Sequence, residues 1–106
     1  MNAPVTSRLA LVTGGLGGLG TEICRQLAQA GRRVVAADLP ASEARLAAFR
    51  EATAASGDAI RHETLDVSDH EACAALIGRL EREHGGVDIL VNAAGITRDA
   101  SLRKMT

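Results

Sequence analysis

The 106-residue chain contains no tyrosine and no tryptophan, and Phe49 is its only aromatic residue. A core must therefore be assembled from Leu, Ile, Val and Ala, and a reaction that needs a tyrosine acid cannot run on these residues by themselves. Lysine is nearly as scarce. Lys104 is the only one and no Gly-Lys-Ser/Thr occurs, which excludes a P-loop. A formal net charge of −1 gives no general electrostatic hold on nucleic acid or an anionic membrane. The two cysteines, Cys24 and Cys73, have neither metal-ligand spacing nor a disulfide framework. They read as small buried hydrophobes in a reducing compartment. No apolar run approaches transmembrane length, and Arg8 precedes only a short apolar stretch that ends in glycines, unlike a signal peptide. The expected location is cytoplasmic.

What the chain has is Leu9 to Gly20, LALVTGGLGGLG. Four apolar residues run to Thr13, and five glycines then fall within seven positions. The unbroken apolar run predicts a buried strand, and the helix formers after Gly20 predict a helix. Strand, glycine turn and helix together make a phosphate cradle. Glycine lets a pyrophosphate reach main-chain N–H groups, and the helix start directs unpaired N–H groups and a positive dipole end at the anion. Two registers fit. Gly15, Gly17 and Gly20 match G-x-G-x-x-G, and Thr13, Gly14, Gly18 and Gly20 match T-G-x-x-x-G-x-G. Leu19 lies inside both. Taken alone, the stretch is also compatible with a simple turn.

With 46% hydrophobic residues the chain can bury a core, and its length suits one domain at most. After a loose tail over residues 1–7, a strand is predicted over 9–13 and a helix over 18–30, stopped by Gly31. A second strand runs through Val34 to Ala37 and ends at Asp38, Leu39 and Pro40. Ser42 caps a second helix that carries Leu46 and Phe49 and closes at Gly57. A third strand over 59–65 alternates polar and apolar residues, as an edge strand does. Ser68 and Glu71 form a capping box for a third helix, which ends at Gly85 and Gly86. A fourth strand covers 89–91. Strands alternating with helices predict a doubly wound α/β fold with a parallel sheet in the order 3-2-1-4. Two helices then share one face, and the third stands alone on the other.

Asp38 lies roughly 20 residues beyond the glycine turn, where a dinucleotide fold places an acid on the adenosine ribose. A carboxylate there accepts the ribose hydroxyls and repels a 2′-phosphate, so NAD is expected over NADP. Arg45 has the reach for such a phosphate, but a helical arginine is ordinarily just solvated. Asp66 can accept from an adenine amino group, and Val67 can flank the ring. Asn92, Ala93, Ala94 and Gly95 end the fourth strand with residues small enough for a flat ring, and the Asn92 amide can tie strands together. His62, His70 and His84 follow no pattern and read as structural or solvated.

TGGLGGLG, Asp38, Leu65-Asp66-Val67 and Asn92-Ala93-Ala94-Gly95 occur in one order along nearly the whole chain. Together they resemble the short-chain dehydrogenase/reductase family, whose last motif more often reads Asn-Asn-Ala-Gly. The tail GITRDASLRKMT resembles the bacterial branch that reduces 3-oxoacyl thioesters, the 3-oxoacyl-carrier-protein and acetoacetyl-CoA reductases. The resemblance implies a Rossmann-type fold and a nicotinamide cofactor held by Gly14, Gly15, Gly17, Gly18, Leu19, Gly20, Asp38, Leu39, Asp66, Val67 and Asn92 through Ile96. It places Asp99 near the acyl substrate. That branch commonly uses NADPH, whereas Asp38 points to NAD. The family's catalytic Ser and Tyr-x-x-x-Lys are absent, since Ala100 stands four residues before Lys104. The expectation is a single, incomplete dinucleotide-binding domain over 1–106, with no catalytic and no metal-binding residue. It requires a complementing half for acyl thioester chemistry, and it self-associates or pairs with another chain. The alternative is a non-catalytic dinucleotide-binding module.

Overall fold

Leu9–Thr13 forms β1, with all five residues buried. This continuous burial follows from the unbroken apolar run, which offers no polar face to water. The computed structural model describes residues 9–93. Within them, β2 (Arg33–Asp38), β3 (Ile60–Thr64) and β4 (Ile89–Asn92) join β1 in one parallel sheet, in the order β3-β2-β1-β4. Leu11 pairs with Val35 on one side and Leu90 on the other, so alternate residues of the three strands share faces.

One face is built from Ala10, Val12, Val34 and Ala36, covered by α1 (Gly18–Gln29) through Cys24 and by α2 (Glu43–Ala52) through Phe49. The other is built from Leu9, Leu11, Val35 and Ala37, and α3 (His70–His84) covers it through Leu76 and Leu80. Two helices on one face and one on the other is the expected arrangement. Burial holds the Cys24 thiol protonated and raises its pKa to about 12.

Three local expectations are corrected. The start of α3 is capped by Asp69, which accepts the Ala72 N–H at 3.0 Å, and not by Ser68. Ser68 instead donates its hydroxyl to Asp66, so the Ser68–Glu71 box does not form. The second helix ends at Ala52 rather than near Gly57, because the Thr53 hydroxyl and N–H both return to the Phe49 carbonyl. A 3-10 turn over Ala54–Ala59 then leads into β3. Cys73 is only half buried, with its sulfur 3.6 Å from the Val67 carbonyl.

Edge strand β3 is held from above by a charged clamp. Arg79 of α3 donates through two nitrogens to the two oxygens of Glu63, at 2.9 and 3.1 Å. A paired fork of this kind fixes geometry more firmly than a single surface contact. Among the described residues, no helix is long and apolar enough to cross a membrane.

Among the described residues, the face covered by α3 alone is not closed. Leu90 is 65% exposed. An apolar groove of about 230 Å³ lies beside it, between α3 and the sheet, lined by Leu11, Leu65, Val67, Cys73, Leu76, Ile77 and Leu90 with Thr13 and Asn92. Exposed apolar surface of this kind favours association. Sedimentation of the 106-residue chain is expected to show association that rises with concentration, and Leu90→Lys is expected to reduce it without lowering the melting temperature. A concentration-independent monomer would show that the face is closed in solution.

Candidate functional site

The site begins where β1 stops. The buried Thr13 hydroxyl donates to Asn92 Oδ1 at 3.1 Å, with the Val91 carbonyl 3.4 Å away, and so ties the C-terminal ends of β1 and β4 together. The chain turns at Gly14, whose φ of 72° lies in the left-handed region that a residue without a Cβ enters at little cost. The Gly15 N–H then donates to the Ala37 carbonyl at 3.2 Å, holding the turn against β2.

The first turn of α1 folds back onto this loop. A Cβ at Gly20 would overlap the Gly14 carbonyl oxygen and come within 2.8 Å of Gly15 Cα. The Thr21 hydroxyl donates to the Gly15 carbonyl at 3.1 Å across the same contact. Gly18 differs, because a Cβ there would meet nothing within 4 Å. The fold therefore demands glycine at position 20 and leaves open space at position 18.

The helix ends are chemically unequal. Ser42 caps α2 and Asp69 caps α3 with a side-chain oxygen, and Glu43 and Glu71 add acid to their first turns. At α1 the cap is Gly17, with no side-chain hydrogen bond and no acid in the first turn. Among the described residues no side-chain cap or first-turn acid offsets the partial positive charge of that helix start, and such a start suits an anion from outside.

Gly14, Gly17, Gly18, Leu19 and Gly20 line an open cleft of about 410 Å³ together with Asp38 and Ala93. Asp38 stands at the C-terminal end of β2 and is firmly held. Its Oδ2 accepts the Leu16 N–H at 3.1 Å, and its Oδ1 accepts the Leu39 N–H at 2.8 Å. Arg45 places a guanidinium nitrogen 3.6 Å from Oδ2. An arginine expected to be merely solvated therefore stands beside the acid of the site. No sequence periodicity marks it, because the contact depends on the angle at which α2 leaves β2.

Other expected residues lie elsewhere. Gly15 packs under the turn, where a Cβ would come within 2.7 Å of Ala36 Cβ. Leu39 is exposed and does not line the cleft. Asp66 is turned toward Ser68, whose hydroxyl and N–H donate to its Oδ1 at 2.7 and 2.9 Å. Those two bonds stabilise the charged form and hold its pKa below the usual carboxylate value. Val67 and Asn92 line the apolar groove under α3 instead. Ala94, Gly95, Ile96 and Asp99 lie outside the described residues. None of the three histidines lines the cleft: His62 lies beside Phe49 with ring centroids 6.5 Å apart, His70 opens α3 and His84 closes it. Among the described residues, no group of three or more His, Cys, Asp or Glu side chains is placed to hold a metal ion.

Comparison with known proteins gives a consistent result. The family model for short chain dehydrogenases matches residues 8–106. An acetoacetyl-CoA reductase of Acinetobacter sp. (strain RA3849) is 43% identical over 99 residues, covering 93% of this chain and 40% of the relative. One from Rhizobium meliloti (strain 1021) is 47% identical over 100 residues, covering 94% of this chain and 39% of the relative. Among solved structures, a variant of actinorhodin polyketide ketoreductase with NADPH superposes with a TM-score of 0.70 at 33% identity, over 87% of this chain and 34% of that one. The chain thus spans about two fifths of the length of these curated relatives.

Gly18 and Gly20 differ in the room a side chain would have. Gly20→Ala is expected to lower the melting temperature by several degrees, since the new methyl group collides with backbone that has no room to move. Gly18→Ala is expected to melt within a degree or two of the parent while weakening capture of a phosphate-bearing ligand at the α1 start. Thermal melts with and without such a ligand distinguish the two; equal effects would show that the open space at Gly18 has no role in binding.

Proposed function

The chain belongs to the short-chain dehydrogenase family, and on that footing we propose that residues 9–93 hold the nicotinamide dinucleotide of an oxidoreductase that reduces 3-oxoacyl thioesters. The family uses NAD or NADP. The acyl thioester class is supported by the acetoacetyl-CoA reductases among the relatives and by the tail after β4. These relatives are about two and a half times as long as the matched region, so the whole reaction draws on more than these residues.

The observation that carries the reading is the uncapped start of α1, facing the same cleft as Asp38. The residues present fit the group. The N–H groups at Gly18, Leu19 and Gly20 suit a pyrophosphate, and the space over Gly18 admits one. Asp38 suits the adenosine ribose, and its fixed carboxylate favours NAD. Ala93, buried at the end of β4, leaves the cleft floor smooth for a flat ring. When bound, the dinucleotide supplies or accepts hydride. This chain's part is to bind and orient it. The Thr13 to Asn92 bond keeps the floor rigid, and the Leu16 N–H to Asp38 bond keeps the turn and the ribose acid in register.

Proton donation to the carbonyl falls to groups other than these residues, because the chain has no tyrosine and Ala100 precedes Lys104 by four. A second reading, a binding module without catalysis of its own, rests on the same observation.

Reduced nicotinamide fluorescence provides the test, and the lack of Trp and Tyr removes competing protein emission. The 106-residue chain is expected to bind NADH more tightly than NADPH and to turn over no 3-oxoacyl thioester with either. Asp38→Asn keeps an acceptor for the backbone but removes the charge. It is expected to cost NADH about 1.5–3 kcal/mol and to abolish the preference. Equal affinities in the parent would show that Asp38 does not read the ribose. Catalytic turnover in material free of host reductases would show that the chain carries its own proton donor.

A further inference from the structure

A second cavity, of about 240 Å³, lies between α2, the 3-10 turn that follows it and β3. Ile60 stands opposite Val34 and His62 opposite Ala36, so this cavity sits toward the N-terminal ends of the strands, whereas Asp38 stands at the other end of β2. It shares no lining residue with the cleft that Asp38 lines. The 3-10 turn bends at Gly57, whose φ of 59° suits a residue without a Cβ. A Cβ there would meet nothing within 4 Å, so that wall is open.

The lining is divided. Leu46, Phe49 and Ile60 form an apolar floor, with Phe49 buried, while Arg50 is exposed at the mouth. The Thr53 hydroxyl is already committed to the Phe49 carbonyl at 2.9 Å. Arg50 and His62 are not committed. Arg25, Arg45 and Arg79 each stand against an acid. Arg50 forms no ion pair among the described residues, and no acid lies three or four residues from it along α2. The His62 ring is packed beside Phe49, and its Nε2 is buried with no hydrogen-bond partner among the described residues. A buried polar atom left unpaired is costly, and folded proteins pair nearly all of them. A guanidinium and an imidazole nitrogen without partners, set beside apolar surface, suit a ligand with the same two parts.

The chemistry of those parts is specific. A planar guanidinium takes a carboxylate through two parallel bonds. One positive charge at the mouth matches a single negative charge, and the floor of Leu46, Phe49 and Ile60 gains from covering a hydrocarbon body. We propose that the cavity between α2 and β3 is a binding site for a small monocarboxylate with an apolar body. Arg50 holds the carboxylate beside His62, and the body lies on Leu46, Phe49 and Ile60. The site stands independently of the dinucleotide reading.

Nuclear magnetic resonance of the 106-residue chain tests this, with hexanoate as the probe and hexanol as its uncharged counterpart. The variants are Arg50→Gln, which removes the charge, and Ala54→Leu, which fills the cavity and leaves the charge in place. Hexanoate is expected to bind the parent in the millimolar range, as suits so few atoms. It is expected to shift the signals of Ile60 and His62 and to leave those of Gly18 and Gly20 unmoved. Hexanol on the parent, and hexanoate on Arg50→Gln, are each expected to bind about tenfold more weakly, the scale of one charge-assisted contact. Ala54→Leu is expected to abolish the shifts. Both variants are expected to melt within about two degrees of the parent, which shows that the fold is kept. Equal affinity for hexanol, or unchanged affinity in Arg50→Gln, would overturn the carboxylate assignment. Shifts that lie elsewhere, that survive Ala54→Leu, or that never appear at millimolar hexanoate would overturn the site itself.

Discussion

The fold of this site depends on one close approach, backbone against backbone, where the first turn of α1 lies on the loop leaving β1. At Gly20 there is no room for a single methyl group between the helix and Gly14. The closeness has two consequences. It brings the start of α1 down onto the C-terminal end of the sheet, where the helix dipole faces a cleft and not bulk water. It also sets Leu16 so that its N–H reaches Asp38 on the neighbouring strand. Without that contact the helix would start farther from the sheet, and the cleft would lose both the direction of its N–H groups and its link to β2.

Much of this architecture was legible in the sequence, and the reason is periodicity. Unbroken apolar runs at Leu9 to Val12 and Val34 to Ala37 mark strands buried on both faces, and the alternation from Ile60 to Leu65 marks an edge. Chain order and crossover handedness then fix the strand order. The glycine turn and Asp38 were legible because their chemistry constrains backbone and position together. What escaped the sequence depends on angles between elements. Asp69 and Ser68 are both plausible caps, and the choice follows from where Asp66 directs its carboxylate. The end of α2 depends on a threonine hydroxyl returning to its own helix. Arg45 meets Asp38 only because of how α2 lies against the end of β2. Asp66 and Val67 were legible as candidates from their place just beyond a strand end, and their local contacts were not. Just after β3, the Asp66 carboxylate accepts from Ser68 and Val67 lines the groove beside α3.

The two faces of the sheet show how far four strands can close a core. On the side of α1 and α2, Ile89 and Val91 of β4 find partners among the residues around Cys24. On the other side, α3 spans from above β3 toward β1 and leaves Leu90 in water. A strand whose side chains are apolar on both faces belongs to a sheet covered on both faces. Leu90 is therefore the point at which the described residues fall short of the fold that their own sequence specifies.

Asp38 lines the cleft and holds two turns with the same two oxygens, and this limits what can replace it. One oxygen holds the glycine turn through Leu16, and the other holds the start of the next loop through Leu39. Removing the carboxylate would also release the glycine turn from β2. A substitution at position 38 therefore disturbs the glycine turn as well as the cleft. Arg45 has no such duty, since it is half exposed, on a helix surface, and linked to the site only by its charge. A charge on the helix surface beside a carboxylate fixed by the backbone can vary while β1, β2 and the glycine turn stay in place.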